Sequence, residues 1–304
     1  MLQLSLIPSV EEERQRRLTI FEKLAGEGIS RIVDAATVSE LKIYRGGSGI
    51  WYDKGMTGSL VSESPAVTVS VLHTGSSYSR NQLFPDGILY PYPFGGLSPT
   101  RDQNSVEATK TAARLRVPVF TVAYTKPNSS ERSVSLSWVE GWDDKLSQFL
   151  ITFGYDPPPQ LIHEISVDTL PFSWQSPNRR QLRKSGALRP GETRFHFQVI
   201  RRYDGVCCMC EFKVEEMLVP VHIRPSSDGG TDDPRNALLL CPLHVAAFTQ
   251  GLVAIEPETW VLCSMDQGPS LTDLGVTKDS LSSMEFKPHA EAVKWNWSKR
   301  NQRY

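Results

Sequence analysis

The chain has 304 residues, of which 39% are hydrophobic and 22% charged, and its formal net charge is −1. That balance excludes a disordered or fibrous chain and leaves enough apolar material for a packed core in each of two domains, the usual division at this length. No apolar run approaches the about 18 residues of a spanning helix, and the opening MLQLSLIPSVEEERQRR lacks a basic start followed by an apolar stretch. The sequence therefore predicts a cytoplasmic protein with no membrane partner.

Residues 11–25 carry charged and apolar side chains at helical spacing and are expected to form a helix. Beyond Leu41 the texture changes, with Gly46, Gly47, Gly49, Gly55 and Gly58 punctuating short runs. Residues 66–72 (AVTVSVL) are β-branched and alternate as a buried strand does, and Asp86-Gly87 turns into a strand over 88–90. A helix is expected over 105–116, capped by Ser105, followed by strands over 118–124 and 133–142. The first domain is thus expected to be an α+β unit with a β-rich core over 1–155. Asp156-Pro157-Pro158-Pro159 marks a boundary, since consecutive prolines continue neither a helix nor a central strand. A linker is expected over 156–189 and a second domain over 190–304.

The linker and the start of the second domain are basic. Arg179, Arg180, Arg183, Lys184, Arg189, Arg194, Arg201 and Arg202 lie between Trp174 and Tyr203 with Glu192 the sole acid. Such a stretch neutralises phosphates or serves as a solvated linker, and charge alone weighs the two evenly. On the first reading Arg179, Arg180, Arg183, Lys184, Arg201 and Arg202 are the candidate contacts to a DNA backbone.

Of five cysteines, three fall into knuckles: Cys207-x-x-Cys210, thirty residues, then Cys241-x-x-His244. An odd cysteine count with these spacings argues for metal in a reducing compartment rather than disulfides, and two such pairs supply the four ligands of a tetrahedral zinc ion. Cys208 and Cys263 fall outside the pattern and are expected to pack.

Between the knuckles run Val219-Pro220-Val221-His222-Ile223-Arg224-Pro225, Asp228-Gly229-Gly230-Thr231-Asp232 and Asn236-Ala237-Leu238-Leu239-Leu240-Cys241. Knuckle, histidine, Gly-Gly turn, asparagine and second knuckle in this order resemble the HNH endonucleases, in the zinc-knuckle subgroup of McrA-type restriction enzymes. The resemblance covers about 193–250. It implies a ββα-metal fold in which His222 is the general base, Asn236 orients the histidine backbone or helps hold metal, zinc is structural, and Mg²⁺ or Mn²⁺ stabilises the leaving oxygen. Two positions depart from the pattern. Val245 stands where the subgroup has a further histidine, and Val221 where many members have aspartate or histidine. Either His244 serves the catalytic ion, or Asp228, Asp232 or Glu215 supplies an oxygen, or the nuclease is weak or inactive.

In the first domain, Gly49-Ile50-Trp51-Tyr52-Asp53, His73-Thr74-Gly75, Tyr78 and the run from Pro85 to Pro93 set aromatics beside a turn carboxylate. This resembles the PUA superfamily, to which the SRA modified-base readers belong. The resemblance implies a β-barrel-type domain with a flipped-base pocket formed by Asp86 and walled by Trp51, Tyr52, Tyr78, Tyr90 and Tyr92. The same aromatics equally suit half-buried sheet positions. Together these readings describe a modification-dependent restriction endonuclease acting on double-stranded DNA that carries a base such as 5-methylcytosine or 5-hydroxymethylcytosine. One ββα domain per chain makes a homodimer plausible, because two single-strand cuts need two sites. The rival readings are a DNA-binding protein with a degenerate HNH fold, and an HNH nuclease indifferent to modification.

Overall fold

The computed structural model describes residues 9–46, 49–61, 66–75, 82–95, 98–127, 129–158, 167–174, 191–264 and 268–301. The chain divides into two compact units, Met1–Ile165 and Ser166–Tyr304.

The first unit opens with helix α1 (Val10–Glu22), started by a capping box in which the Ser9 hydroxyl accepts from Glu12 N and the Glu12 carboxylate accepts from Ser9 N. Then come β1 (Ser30–Asp34), α2 (Ala35–Glu40), β2 (Ile50–Tyr52), the short α3 (Lys54–Thr57), β3 (Thr68–His73), β4 (Gln82–Phe84), β5 (Gly87–Pro91), α4 (Pro99–Arg114), β6 (Val119–Tyr124), β7 (Glu131–Asp143) and β8 (Gln148–Phe153). Helix α4 starts seven residues before the expected Ser105. Ser98 accepts from Arg101 N and Pro99 occupies the first turn, while the Ser105 hydroxyl donates within the helix to Arg101 O.

The eight strands form one mixed sheet in the order β2-β3-β6-β7-β8-β5-β4, with β1 pairing β7 beside this path. Only β3 and β6 run parallel. The thirteen-residue β7 pairs β6 along one edge; its other edge pairs β1 over residues 131–135 and β8 from Ser137 on, with a register irregularity between Val139 and Gly141 inside the β8 pairing. One strand serving two partners on one edge bends the sheet into a curled half-barrel. Among the described residues β2 and β4 end the ladder, so the closure of a full barrel is not seen.

Alternation along the strands sends side chains to two cores. Val71 and Val119 join Ile88, Tyr90, Val139, Phe149 and Ile151 on the face covered by the small residues Ala112 and Ala113 of α4. Phe120, Val122, Val134 and Leu136 face the opposite way, onto Phe21 and Leu24, and Val69 joins them because the β2–β3 register skips it and breaks the alternation there. A fully buried ion pair docks α1: Arg17 donates to the Glu13 carboxylate at 2.7 Å and to the carbonyls of Thr68 and Pro118 at 2.6 and 2.7 Å.

The second unit contains α5 (Glu192–Arg202), the hairpin β9 (Val219–His222) and β10 (Ala237–Leu240), α6 (Pro242–Gln250), a small ladder of β11 (Val253–Ile255) and β12 (Leu262–Ser264), and α7 (Ala290–Asn301). Residues 167–174, expected in the linker, pack within this unit. Arg235 donates to Leu170 O at 2.8 Å, the Phe172 ring stacks on His289 at 3.8 Å, and Trp174 donates to Glu291. The described helices include none long and apolar enough to cross a membrane.

Candidate active site and metal centre

The second unit is organised by a hairpin that delivers both its knuckle and its histidine. Strand β10 is buried at every residue, and its end places Cys241 at the N-cap of α6, where Pro242 fits the first turn and His244 projects one turn in. The segment after α5 brings Cys207 and Cys210 beside it, with Cys208 N donating to Leu239 O at 2.8 Å. One ligand atom from each of Cys207, Cys210, Cys241 and His244 lies within 4.8 Å of the others.

The distances suit a tetrahedral ion. The Cys210 and Cys241 sulfurs are 4.0 Å apart, and His244 Nδ1 lies 3.4 Å from Cys207 Sγ and 3.1 Å from Cys241 Sγ. Four ligands at zinc bond lengths stand about 3.6–3.8 Å from one another. Backbone N–H groups of Met209 and Cys241 point at Cys207 Sγ from 3.5 and 3.4 Å, the support a thiolate ligand receives. Burial pushes the Cys207 thiol up and the Cys210 thiol up to about 12, and it lowers the His244 imidazole. A soft divalent cation is what such buried donors need in order to ionise, and the Cys₃His set fits zinc. Cys208 is fully buried and packs, while Cys263 lies in β12.

His222 closes β9 opposite Ala237. Its ring lies flat on Phe195 of α5, with centroids 4.4 Å apart and planes 8° apart. Its Nε2 is 3.0 Å from Asp232 Oδ1, and the His222 side chain is 25% exposed. Asn236 is fully buried, and its carboxamide is committed to the intervening loop: Oδ1 accepts from Arg224 N, and Nδ2 donates to Arg224 O and Thr231 O. Arg224 in turn donates to Asp228 O and lies between the rings of Trp174 and Trp295. Asp232 and Phe195 are the partners of His222 that sequence reasoning did not pair with it. The available signal was topological, because a hairpin that returns to Asn236 must bring the residues just before it back beside His222. The described residues offer no second group of three donors like that at the knuckles, so no ligand set for Mg²⁺ or Mn²⁺ is identified.

Of the expected DNA-backbone residues, Arg202 is held inside the unit by Asp168 at 2.9 Å and by Lys287 O, and Arg201 is half-buried. Arg179, Arg180, Arg183 and Lys184 lie outside the described residues.

Of the expected pocket aromatics, Tyr90 and Tyr92 belong to the α4-side core and Trp51 to the other. Tyr90 is buried in the α4-side core with its hydroxyl donating to Leu72 O, and a β-carbon at Gly49 would overlap that hydroxyl. Tyr92 packs on Phe149 and donates to Asp144, which also pairs with Lys110 at 2.7 Å. Burial, reinforced by that carboxylate, raises the Tyr92 hydroxyl far above the ordinary phenol value and keeps it a neutral donor. Trp51 belongs to the other core, edge-on to Tyr44. Tyr52 is half-buried at the end of β2, and half-buried Asp86 sits at the β4–β5 turn, where its carbonyl accepts from Phe153 N. Tyr78 lies outside the described residues.

A two-stranded hairpin and a helix bring together a Cys₃His set that could hold a metal ion, in a ββα arrangement. Residues 207–256 match the family model described as HNH endonuclease. Among solved structures the chain is similar to a modification-dependent TagI restriction endonuclease, with 15% identity and a TM-score of 0.38 over 91% of this chain and 94% of that one. It is also similar to the SUVH5 SRA domain in complex with hemi-methylated CG DNA, with 17% identity and a TM-score of 0.30 over 45% of this chain and 94% of that one. A third likeness is to the phosphorothioation-dependent restriction endonuclease ScoMcrA, with 14% identity and a TM-score of 0.25 over 84% of this chain and 56% of that one. No curated protein matches the chain.

Proposed function

We propose that this protein is a DNA endonuclease that hydrolyses phosphodiester bonds with its second unit, His222 acting as general base, and that its first unit selects DNA carrying a modified base. The observation that carries the nuclease reading is the His222 imidazole, partly exposed at the end of an HNH-type hairpin, its plane fixed by Phe195 and its Nε2 paired with Asp232.

In this reading the Cys₃His zinc supplies fold, not chemistry, by fixing the start of α6 against the hairpin. His222 takes a proton from water as the water oxygen attacks phosphorus. Asn236 holds the loop that follows His222, and through it the geometry of the site. A divalent cation, when bound, would offset charge on the leaving oxygen. The modified-base reading rests on half-buried Asp86 at the β4–β5 hairpin turn, a residue type suited to accept from an exocyclic amine.

Incubating the full chain with Mg²⁺ or Mn²⁺ and matched modified and unmodified duplexes tests both parts. Cleavage confined to modified DNA, lost in His222→Ala and no longer selective in Asp86→Ala, is the expected result. Tight binding without cleavage, unchanged in His222→Ala, would favour a degenerate DNA-binding domain. Equal cleavage of both duplexes would remove the reader.

A further inference from the structure

We propose that Asp232 is a positioning residue for His222, fixing which ring nitrogen carries the proton and leaving Nδ1 as the atom that accepts one from water; this rests on the nuclease reading. An ionised carboxylate only accepts hydrogen bonds, so the 3.0 Å contact from Asp232 Oδ1 requires the proton to sit on Nε2. The lone pair is then on Nδ1. The Phe195 ring, parallel within 8°, sets the plane of the imidazole, and Asp232 sets its rotation within that plane. The two contacts leave the ring one orientation.

Asp232 is itself placed by built features. Asn236 Nδ2 holds Thr231 O at 2.9 Å, one residue before it, and Gly230 passes so close to Arg224 O that no side chain fits there. The carboxylate is 46% exposed. Solvent screening leaves such a pair little stabilising value, so its consequence lies in orientation.

Strand β9 packs against β10, α5 and α6. Strand β10 (ALLL) has no ionisable side chain, α5 presents the Phe195 ring to His222, and His244 of α6 faces the thiols. Asp232 is the one charged group recorded against the imidazole among the described residues.

In the step so arranged, an O–H bond of water breaks and its proton passes to Nδ1. The water oxygen bonds to phosphorus, and the bond to the leaving sugar oxygen breaks with its electron pair on that oxygen, which takes a proton from solvent. Asp232 stays ionised throughout and offsets the imidazolium charge, as in other carboxylate–histidine pairs.

The test compares full-length wild type with Asp232→Asn and Asp232→Glu in two measurements: plasmid nicking against pH, and nitrogen-15 NMR of the His222 ring. In D232N a loss of about a hundredfold or more in nicking rate is expected, together with a changed nitrogen-15 spectrum of the His222 ring. D232E should recover much of the rate, with zinc content unchanged in all three proteins. The wild-type spectrum should show the proton on Nε2. A D232N protein with the wild-type rate and profile overturns the proposal, as does a wild-type ring protonated on Nδ1. A wild type inert on every DNA removes the nuclease reading instead, and the ring spectrum still decides where Asp232 places the proton.

Discussion

Asn236 grips both ends of the Arg224 backbone. Its Oδ1 accepts from Arg224 N and its Nδ2 donates to Arg224 O, each at 3.0 Å across a separation of twelve residues. This brackets the loop between the hairpin strands, and a third bond from Nδ2 to Thr231 O pins its far limb.

Replacing Asn236 by Ala should therefore cost about 2–4 kcal/mol of stability, because three buried backbone groups lose their partner at once. Asn236→Asp should be nearly as harmful, since it keeps an acceptor for Arg224 N while turning a carboxylate oxygen toward two carbonyls. Urea midpoints at constant m-value measure the cost. An N236A protein as stable as wild type, with nicking unchanged, would show that the loop holds its shape without the clamp.

The knuckle set predicts a pH-dependent metal. Burial raises the Cys207 and Cys210 thiols, so without an ion both stay protonated at neutral pH, and zinc must displace those protons to bind. The sign follows. Zinc affinity rises with pH, and acidification returns protons to the thiols and releases the ion. One zinc per chain is expected by elemental analysis, lost below about pH 5 or on chelation, with the second unit unfolding as it leaves. Cys210→Ser should shift release to higher pH, whereas Cys263→Ser should not. Full cooperative unfolding of a zinc-free protein at the wild-type temperature would sink this account.

The Cys₃His cluster was legible in the sequence because each knuckle is local: two residues between donors suffice to aim both, whatever the rest of the chain does. His222 was legible only through the resemblance to HNH endonucleases, standing before a Gly-Gly turn and an asparagine in that family's order. Asp232 was visible as an acid but not as a partner of His222, because that contact depends on the path of a loop held by Asn236, Gly230 and the Arg224 stack. In the first unit β3, β5, β6 and β7 were readable from their β-branched and apolar runs, whereas β1, β2, β4 and β8 were not expected. The sides on which the aromatics fell were not readable. Trp51 and Tyr90 face opposite cores because Ile50, not Trp51, shares the face of Tyr90, and which parity of β2 matches that of β5 is set by pairing register, which no single strand's pattern encodes.

Helix α1 carries a second burial test. Arg17 is fully buried, with Glu13 and two backbone carbonyls as its partners. Burial alone would raise the Glu13 carboxyl, but hydrogen bonding and charge from Arg16 and Arg17 hold it below its ordinary value. Arg17→Met should cost about 3–5 kcal/mol, because it strands a buried carboxylate and two carbonyls. The depressed carboxyl contributes stability that is fully present above the ordinary Glu value and lost as pH falls through its folded value. The Arg17→Met protein should accordingly lose this acid-sensitive part of wild-type stability. Thermal melts between pH 3 and 7 check both statements, and parallel melting curves for the two proteins across that range would refute the second.

The two glycines before Thr231 look interchangeable in sequence but are not so in space. Gly229 has φ +82°, so a β-carbon there meets the conformational penalty of the left-handed region, about 1–2 kcal/mol, and asparagine should relieve part of it. At Gly230 the obstacle is the Arg224 carbonyl oxygen, which a β-carbon would overlap. Backbone cannot yield as a flexible side-chain tip does, so the loop must shift and carry Thr231 and Asp232 with it. Gly230→Ala is thus expected to cost more stability than Gly229→Ala and, unlike Gly229→Asn, to displace Asp232 from His222, which the nitrogen-15 ring spectrum reads directly. Equal midpoints for the two alanine variants, with an undisturbed His222 ring in both, would mean that the close approach to Arg224 does not govern the loop.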